Sequence, residues 1–588
     1  ATSDEMGVVL AKASMSPVIY EVLDFACGLC DNKGEMVSVQ NGITIFTGTF
    51  TDDVKTIMRK FENNIYEGDI FLLNNPHTSG THLNDVSVIK PIFVDKKLIS
   101  FAIADAHWAD IGGSVTGSMS PQATDIYQEG LQLPGVKLYK KGKLQSDILD
   151  IISSNVRFST LAIGDLNAEV AAVNIAENRI KEIVQKYGYN IVIDAFDYLK
   201  NTSETISRKA IKEMPNGTYE VEDVIDGDGF TEDQIPIKLK LIVRDDEIEF
   251  DFTGTSPQSD SPLKCGKGAL FSMVKTIFKS VVDPHAYTNE GWFRALKLTI
   301  PDGTVFSATY PSSTSWYFEV SSQGADLVWK AFAPLAKEMT SVGSYVSLTA
   351  SFIYGKDHRN DEPFMIVEPH SGGWGASSDS DGTSGLIAIL DGDTYNYSIE
   401  LFEAKFPLRC KQYKLNTEAG VGHGEYRGGF GLLREYEILN DDTYTYCNIG
   451  RSIAKPWGIN EGNEGTNNFM IISSKGKEKR VTRIPSTKLN KGDILKIVTG
   501  SGGGFGNPKK RKRERIIEDV ENGFISKETA KKIQEEANIK SLESIKRKEE
   551  QAKQKIISLE TEAVRNIKEI TSRIIIESSR TYIENKLD

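Results

Sequence analysis

The amino-acid composition changes near residue 507, and this change constrains the fold more than any other feature of the sequence. The last 82 residues contain 20 lysines and arginines and 16 aspartates and glutamates, but only one glycine, Gly523, and two aromatic residues. Apolar residues recur there at intervals of three, four or seven positions, as on one face of a helix. They are Ile545, Ala552, Ile556, Leu559, Ala563, Ile567, Ile570 and Ile574. We therefore predict that residues 507–588 form a helical assembly tail whose apolar stripe needs a partner surface.

The charge balance separates the tail from the rest of the chain. The tail carries a net charge of +4 and the whole chain −13, which leaves −17 on the first 506 residues. Such an acidic protein is not expected to bind nucleic acid, because phosphate binding needs a positive surface. We interpret the basic run from Lys509 to Arg513 as a solvated linker.

The composition also indicates in which cellular compartment the protein is expected. The five cysteines are too few for a disulfide scaffold, which favours a reducing cytoplasm. We expect no membrane-spanning segment, because no run of 18 apolar residues occurs. The first residues lack the basic and apolar stretches of a secretory signal.

The body before residue 507 has a mixed pattern. Residues 1–205 combine a helical stretch from Leu161 to Tyr187 with apolar runs typical of buried strands, such as Ile70–Leu73. Residues 206–506 are β-rich and punctuated by glycine, and Gly217 to Gly254 alternates apolar and polar residues as in antiparallel strands. We predict a multidomain protein of the mixed α/β (α+β) class, with domains 1–205 and 206–506 before the tail.

Histidines and carboxylates concentrate in one part of the first domain. His82 and Asp85 lie three residues apart just before a predicted strand, and His107 ends the next one. If these strands pair, the three side chains converge. Two imidazoles and a carboxylate suit a divalent Zn, Mn, Fe or Co ion, and Asp24 is a candidate fourth ligand. The alternative is that these histidines only bond backbone groups in polar loops.

Other motifs argue against further chemistry within this chain. The glycine-rich stretches at 420–431 and 499–508 do not end in the Gly-Lys-Ser/Thr of a phosphate-binding loop. Any nucleotide site is therefore expected on another polypeptide, and the glycines are expected to allow close approach of backbone segments. The single Cys27-Gly28-Leu29-Cys30 pair is expected to be buried and inert.

Several stretches together resemble the hydantoinase B/oxoprolinase family. They are Ser16-Pro17 through Cys27, Gly68-Asp69 through Thr81-His82-Leu83-Asn84-Asp85, Ala106-His107-Trp108 through Gly112-Gly113, Gly117-Ser118-Met119, Gln128 through Pro134, Gly372 through Ala376, Glu403 through Arg409, and Tyr426 through Gly429. The likeness runs in order from residue 1 to about residue 530.

The resemblance implies an enzyme subunit. Such chains pair with a larger, actin-like hydantoinase A subunit that binds ATP and Mg, and the pair activates a carbonyl substrate by phosphorylation. One branch opens cyclic amides, namely hydantoins, 5-oxoproline and lactams. Another branch carboxylates ketones such as acetone and acetophenone. The B-type subunit carries a divalent metal, and its ligands map to His82, Asp85 and His107, with Asp24 added in some lactam-opening members.

Two positions depart from the family pattern. Members often have His-His where this chain has His107-Trp108, and many have a histidine near the segment that here reads Ile45-Phe46-Thr47-Gly48. These differences leave the expected metal ligands intact. They leave open which groups transfer protons and which substrate is used.

Three functions are compatible with the sequence. The first is ATP-dependent hydrolysis of a cyclic amide, with Asp110 or Asp105 as candidate base. The second is a ketone carboxylase that uses bicarbonate, for which a small third subunit is expected. The third is a scaffold that only binds the ATPase subunit, against which the metal constellation argues. In either enzyme the stretch from Asp391 to Asn396 can line the site or be an ordinary turn.

Overall fold

The computed structural model describes residues 1–40, 42–231, 233–336, 338–392, 394–533 and 539–584. The described residues form two compact units, Ala1–Asn507 and Pro508–Asp588. None of the described helices combines the length and the apolar composition that spanning a bilayer requires.

The first unit contains ten α-helices in its described residues. They are α1 (Thr2–Ala13), α2 (Pro17–Tyr20), α3 (Thr44–Thr47), α4 (Phe50–Phe61), α5 (Ser146–Asn155), α6 (Ser159–Tyr187), α7 (Tyr189–Lys212), α8 (Lys267–Val282), α9 (Tyr317–Phe332) and α10 (Ile399–Lys405). Short 3₁₀ turns span Ile126–Gln128 and Glu290–Phe293. The predicted boundary between residues 205 and 206 falls within α7, and this subdivision of the body stays a prediction.

The first sheet has seven strands and carries the histidine-rich segment. Its strands are β1 (Phe25–Asp31), β2 (Met36–Val39), β3 (Ile70–Leu73), β4 (Asp85–Val94), β5 (Lys97–His107), β6 (Pro134–Lys140) and β7 (Lys143–Leu144). Their order across the sheet is β2-β1-β5-β4-β3-β6-β7, and neighbouring strands are antiparallel.

The centre of this sheet is buried on both faces. Ala102, Ala104 and Ala106 of β5 share a core with α1 and α6, whereas Phe101 and Ile103 belong to a core on the other face. Side chains alternate between faces along a strand, so His107 shares the face of Phe101 and Ile103. This face is covered by the remainder of the body, which explains why apolar residues run almost continuously through β4 and β5.

Three further sheets complete the first unit. Their strands are β8 (Gly217–Ile225), β9 (Ile235–Arg244), β10 (Glu247–Asp251), β11 (Leu296–Thr299), β12 (Ser351–Lys356), β13 (Pro363–Glu368), β14 (Leu408–Leu415), β15 (Leu432–Ile438), β16 (Thr443–Asn448), β17 (Phe469–Ser474), β18 (Lys477–Val481), β19 (Arg483–Leu489) and β20 (Ile494–Val498). The strand orders are β11-β10-β9-β8, β13-β12-β16-β19 and β14-β15-β20-β17-β18. The predicted mixed class with a β-rich second half is confirmed.

The second unit is helical, as predicted for the tail. Its described elements are a 3₁₀ turn (Pro508–Lys510), α11 (Arg513–Glu521), α12 (Lys527–Ile533) and α13 (Ile539–Glu584). Ile516, Val520, Ile525 and Ala530 form a small core between the first two helices. Several apolar side chains in the described part of α13 are more than half exposed, among them Ile556, Leu559, Ile567, Ile570 and Ile574.

The glycine-rich stretches pack against one another through their main chains. Gly502 N–H donates to Gly429 O at 2.9 Å, and Gly504 N–H donates to Asn463 O at 2.8 Å. A methyl group added to Gly428 would lie 2.0 Å from the carbonyl oxygen of Gly502. These glycines therefore serve close backbone approach, as the sequence predicts.

Replacing Gly502 is expected to destabilise the first unit. In Gly502→Ala the new methyl group would lie 2.0 Å from the carbonyl oxygen of Trp374, so the backbone has to shift at a cost of about 1–3 kcal/mol. Denaturant unfolding measures this cost. Gly217→Ala is the control, since the nearest neighbours of its methyl group would be side-chain atoms of Tyr219, at 3.3 Å or more. Equal stability of the two variants would contradict the assignment.

Candidate metal centre

Strand pairing brings the histidine and carboxylate positions together. Asp85 is the first residue of β4 and His107 the last of β5, and these two residues lie directly opposite each other in the antiparallel ladder. His82 lies in the turn just before β4, and its carbonyl oxygen accepts a hydrogen bond from Asp85 N–H at 3.2 Å. The convergence predicted for the three residues is therefore present in the fold.

The three side chains form one buried cluster. His82 Nδ1 lies 2.6 Å from Asp85 Oδ2, and His107 Nδ1 lies 3.1 Å from Asp85 Oδ1. The two imidazole rings stack with their centroids 5.0 Å apart. One ligand atom from each residue lies within 4.8 Å of the others. Within the described part of the chain, the buried Nε2 atoms of both histidines have no hydrogen-bond partner.

Asp85 is held as a carboxylate. Thr81 donates a short hydrogen bond to Oδ2, and the Tyr317 hydroxyl donates to the same oxygen at 3.1 Å. Burial alone would raise the pKa of Asp85, but the His82 charge and the hydrogen bonds from both imidazoles outweigh it and hold that pKa well below its usual range. The cluster thus offers a negative oxygen beside two imidazoles.

Asp24 is held beside His107 by the main chain. His107 N–H donates to Asp24 O at 3.1 Å. The Asp24 carboxyl faces the same cavity as the two imidazoles. Burial raises its pKa to about 7, against the opposing effect of His107. This position agrees with the prediction of Asp24 as a near or direct ligand, which remains a prediction.

Asp391 is a second carboxyl group in this cavity. Its neighbour Gly392 approaches the main chain of Gly42 so closely that an added methyl group would lie 2.0 Å from Gly42 O. Burial raises the pKa of Asp391 to about 7, although the Thr394 hydroxyl donates to its carboxyl at 3.0 Å. The sequence singled out the stretch 391–396 as a candidate lining. Asp393 lies outside the described residues.

The remaining wall of the cavity is almost wholly apolar. Its volume is about 40 Å³, enough for a few water molecules. Besides the two histidines, Asp24, Asp391 and Tyr317, it is lined by apolar residues that include Ile43, Ile45, Phe46, Met119, Phe352 and Val367. No lysine or arginine is among the described residues that line it.

Tyr317 is a member of the site to which no sequence pattern pointed. It begins α9, more than 200 positions after Asp85, and its ring lies 4.7 Å from the His82 ring between centroids. Burial and the charges of Asp85 and Asp24 raise its pKa well above the usual value. It therefore acts as a neutral hydroxyl donor.

The candidate bases lie outside the cavity lining. The Asp110 carboxylate accepts from the N–H groups of Gly112 and Gly117 at 3.0 Å and from Arg157 N–H and Nη1 at 2.9 Å. Asp105 accepts from the Ser87 hydroxyl at 2.7 Å. A catalytic role for either residue stays a prediction.

Trp108 does not enter the cavity. Its buried ring lies in the core shared with α6, and its Nε1 donates to Glu169 Oε2 at 3.0 Å. The histidine-to-tryptophan difference at this position thus lies on the opposite face of the sheet. By contrast, Ile45 and Phe46, where many members have a nearby histidine, line the cavity directly.

A sequence model of the hydantoinase B/oxoprolinase family matches residues 1–508. The chain belongs to this family. The resemblance seen in the sequence motifs is thereby confirmed over the whole first unit.

Two bacterial relatives match along most of their length. The B-type chain of a putative D-/L-hydantoinase from a Pseudomonas species is 31% identical over 545 residues, covering 90% of this chain and 91% of that one. The beta chain of the caprolactamase from Pseudomonas jessenii is 28% identical, with 89% and 91% covered. These members of the family are subunits of enzymes. The prediction that this chain is an enzyme subunit is thereby confirmed.

Two solved structures share the fold. The ATP-dependent caprolactamase from Pseudomonas jessenii superposes with a TM-score of 0.84 at 26% identity, covering 90% of this chain and 93% of that one. An acetone carboxylase chain gives the same TM-score at 18% identity, covering 91% and 78%. At that identity the second likeness shows the fold alone.

Replacing Asp110 separates a structural from a catalytic role. Because its carboxylate accepts main-chain and arginine hydrogen bonds, Asp110→Asn is expected to lower the free energy of unfolding by about 1.5–3 kcal/mol. Thermal unfolding measures this, and Asp302→Asn at an exposed site is the control. Unchanged stability combined with lost turnover would instead support Asp110 as the base.

Proposed function

We propose that this chain is the metal-bearing subunit of an ATP-dependent enzyme complex that opens a cyclic amide. The observation that carries the proposal is the buried cluster of His82, Asp85 and His107 at the wall of an apolar cavity. The chain's membership of a family that contains hydantoinase and caprolactamase chains supports the opening of a cyclic amide as the reaction class.

The donor set fits a divalent ion. Two imidazoles and a carboxylate are the ligands of Zn, Mn, Fe and Co sites, and two ligands of one ion at right angles lie roughly 3 Å apart. The contacts of 2.6 and 3.1 Å between the ring nitrogens and Asp85 match that spacing. His82, Asp85 and His107 would hold the ion, with Asp24 beside them. A bound ion supplies Lewis acidity to a carbonyl oxygen or a water molecule.

The two carboxyl groups of the cavity are suited to proton transfer. Asp24 and Asp391 both have a pKa raised to about 7 by burial, so each can take or give a proton near neutral pH. Both face the cavity, unlike Asp105 and Asp110. We therefore favour Asp391 as the group that accepts a proton from water and returns it to the ring nitrogen, because an ion at the histidine cluster would lower the pKa of Asp24, its candidate ligand.

The cavity wall favours a neutral substrate. A carboxylate on the substrate, as in 5-oxoproline, needs a cationic partner when it is buried. The described lining contains no lysine or arginine and two acidic residues. A hydantoin or a lactam without a charged substituent fits this wall better.

A separate polypeptide supplies the nucleotide chemistry. The glycine-rich segments of this chain are occupied by contacts with each other, and none has a phosphate-cradling motif. We propose a hydantoinase A-type ATP-binding partner. A ketone carboxylase with a third subunit is the alternative, and the fold is compatible with it.

The function is tested on the complex purified without tags. Co-eluting chains and metal are identified, and the complex is assayed with ATP on hydantoin, caprolactam, 5-oxoproline, and acetone with bicarbonate. We expect ring opening with ADP release on hydantoin or caprolactam. Incorporation of labelled bicarbonate into acetone would establish the carboxylase instead. A preparation with neither metal nor turnover would indicate a scaffold.

Removing one histidine is expected to remove the ion. His82→Ala and His107→Ala each delete one of two imidazole ligands, so elemental analysis should show the loss of about one metal per chain. His285→Ala is the control, because this histidine is exposed and distant in sequence. Equal metal content in all three variants would refute the ligand assignment.

The exposed stripe of α13 is proposed to serve assembly. Replacing Ile567, Ile570 and Ile574 together with glutamine keeps the helix but removes its apolar face. We expect a lower oligomer mass or weaker subunit association in sedimentation, because exposed apolar patches of this kind normally mark interfaces. Metal content should not change. The double variant Lys568→Gln and Glu569→Gln is the control, and normal assembly of the isoleucine variant would contradict this role.

A further inference from the structure

A second cavity lies against α3. Its volume is about 200 Å³, and its wall includes Thr44, Thr47 and Gly48 from the α3 segment together with residues of α8. The neighbouring residues Ile45 and Phe46 line the metal cavity instead. One helical turn therefore separates the two cavities.

Two buried lysines line the second cavity. Lys275 and Lys279 are four residues apart on α8, so they lie on the same face of the helix, and they are only 6% and 7% exposed. Described residues that line this cavity include no aspartate or glutamate. The lining is thus cationic, in contrast to the acidic metal cavity.

The two lysines differ in their partners. Lys275 Nζ lies 3.2 Å from Glu290 Oε1 and donates to Gly48 O at 3.1 Å, so its charge is balanced. Lys279 donates to the carbonyl oxygen of Asp283 and lies 4.5 Å above the Trp292 ring. Within the described part of the chain, no carboxylate forms an ion pair with it.

A buried ammonium group without a counter-ion is unfavourable. Burial lowers the pKa of Lys279, and the nearby Asp283 opposes this only in part. An anion in the cavity would offset the cost of desolvating the charge. Groups with a pKa perturbed in this way are concentrated at functional sites.

Hydroxyl groups complete the lining. Thr276 and Thr288 face the cavity, and their hydroxyls make no hydrogen bond in the described structure. The ammonium group of Lys279 and the free hydroxyl donors beside it are groups that bind phosphate oxygens in proteins. A single carboxylate would leave part of this donor set unused.

We propose that this cavity is a phosphoryl-binding site, with Lys279 as its principal cation. The choice of phosphate rests on the proposed function, in which ATP activates the substrate and phosphate leaves. The phosphoryl group is carried by the activated substrate or is free orthophosphate. Its position across α3 from the metal cavity suits a group that enters or leaves the reaction there.

The test is calorimetric titration of the full chain, freed of metal by chelation so that phosphate cannot bind at the metal cluster. Inorganic phosphate, methyl phosphate and acetate are compared. We expect both phosphates to bind at least about tenfold more tightly than acetate. Binding of methyl phosphate shows that the site accepts a substrate-borne group, whereas binding of orthophosphate alone assigns it to the free ion.

Variants locate the binding. Lys279→Met should weaken phosphate binding at least about tenfold, and Thr288→Val should weaken it less. Lys267→Met, on the exposed first turn of α8, should have no effect. Thermal unfolding checks that each variant is folded, and Thr288→Val keeps the test decisive if Lys279→Met does not fold. Equal phosphate affinity in wild type and Thr288→Val, or no preference over acetate, would overturn the proposal. Metal content and turnover of the complex, measured separately, test the proposed function.

Discussion

The pairing of β4 with β5 is the contact on which the site depends. It sets Asp85 opposite His107 at the end of a ladder that is buried on both faces. A slip of one residue would turn His107 toward α1 and α6 and place Ala106 at the cavity. Packing opposes that slip, because it would place the large side chains of Phe101 and Ile103 where Ala102 and Ala104 now pack in the core shared with α1 and α6. The same apolar packing that stabilises the sheet therefore fixes the geometry of the cluster.

The buried carboxyl groups around the cluster suit the binding of a cation, and they lower the stability of the fold. Asp24 and Asp391 line a cavity whose described lining has no lysine or arginine, and Asp85 belongs to the histidine cluster at its wall. Carboxyl groups buried without cations raise the free energy of the fold, and the raised pKa values of Asp24 and Asp391 express this cost. Elsewhere the protein pairs its buried acids, as in the contact of Glu368 with Arg434 at 2.7 Å. A divalent cation at the histidine cluster would provide the missing positive charge.

The sequence predicted the site residues that lie close together along the chain and missed those that are far apart in sequence. His82, Asp85 and His107 lie within 26 positions and two adjacent strands, so pairing of those strands was enough to predict their convergence. Asp391 was flagged by its polar turn, but nothing in the pattern placed it beside Asp24. Tyr317 and the lysines of α8 join the region only through packing of the body onto the sheet. The helical tail was predictable because its composition excludes any other regular structure.

The α3 segment links the two cavities. An added methyl group on Gly48 would lie 1.8 Å from the Ser272 hydroxyl oxygen, so this end of α3 packs directly on α8. At the other end, Thr44 donates to Leu390 O at 3.0 Å, just before Asp391. The short helix is thus held between the helix that carries the lysines and the turn that carries a cavity carboxyl. Ile45 and Phe46 of this turn line the metal cavity, whereas Thr44, Thr47 and Gly48 line the second one, so a single helical turn that is packed at both ends forms the wall between the two cavities.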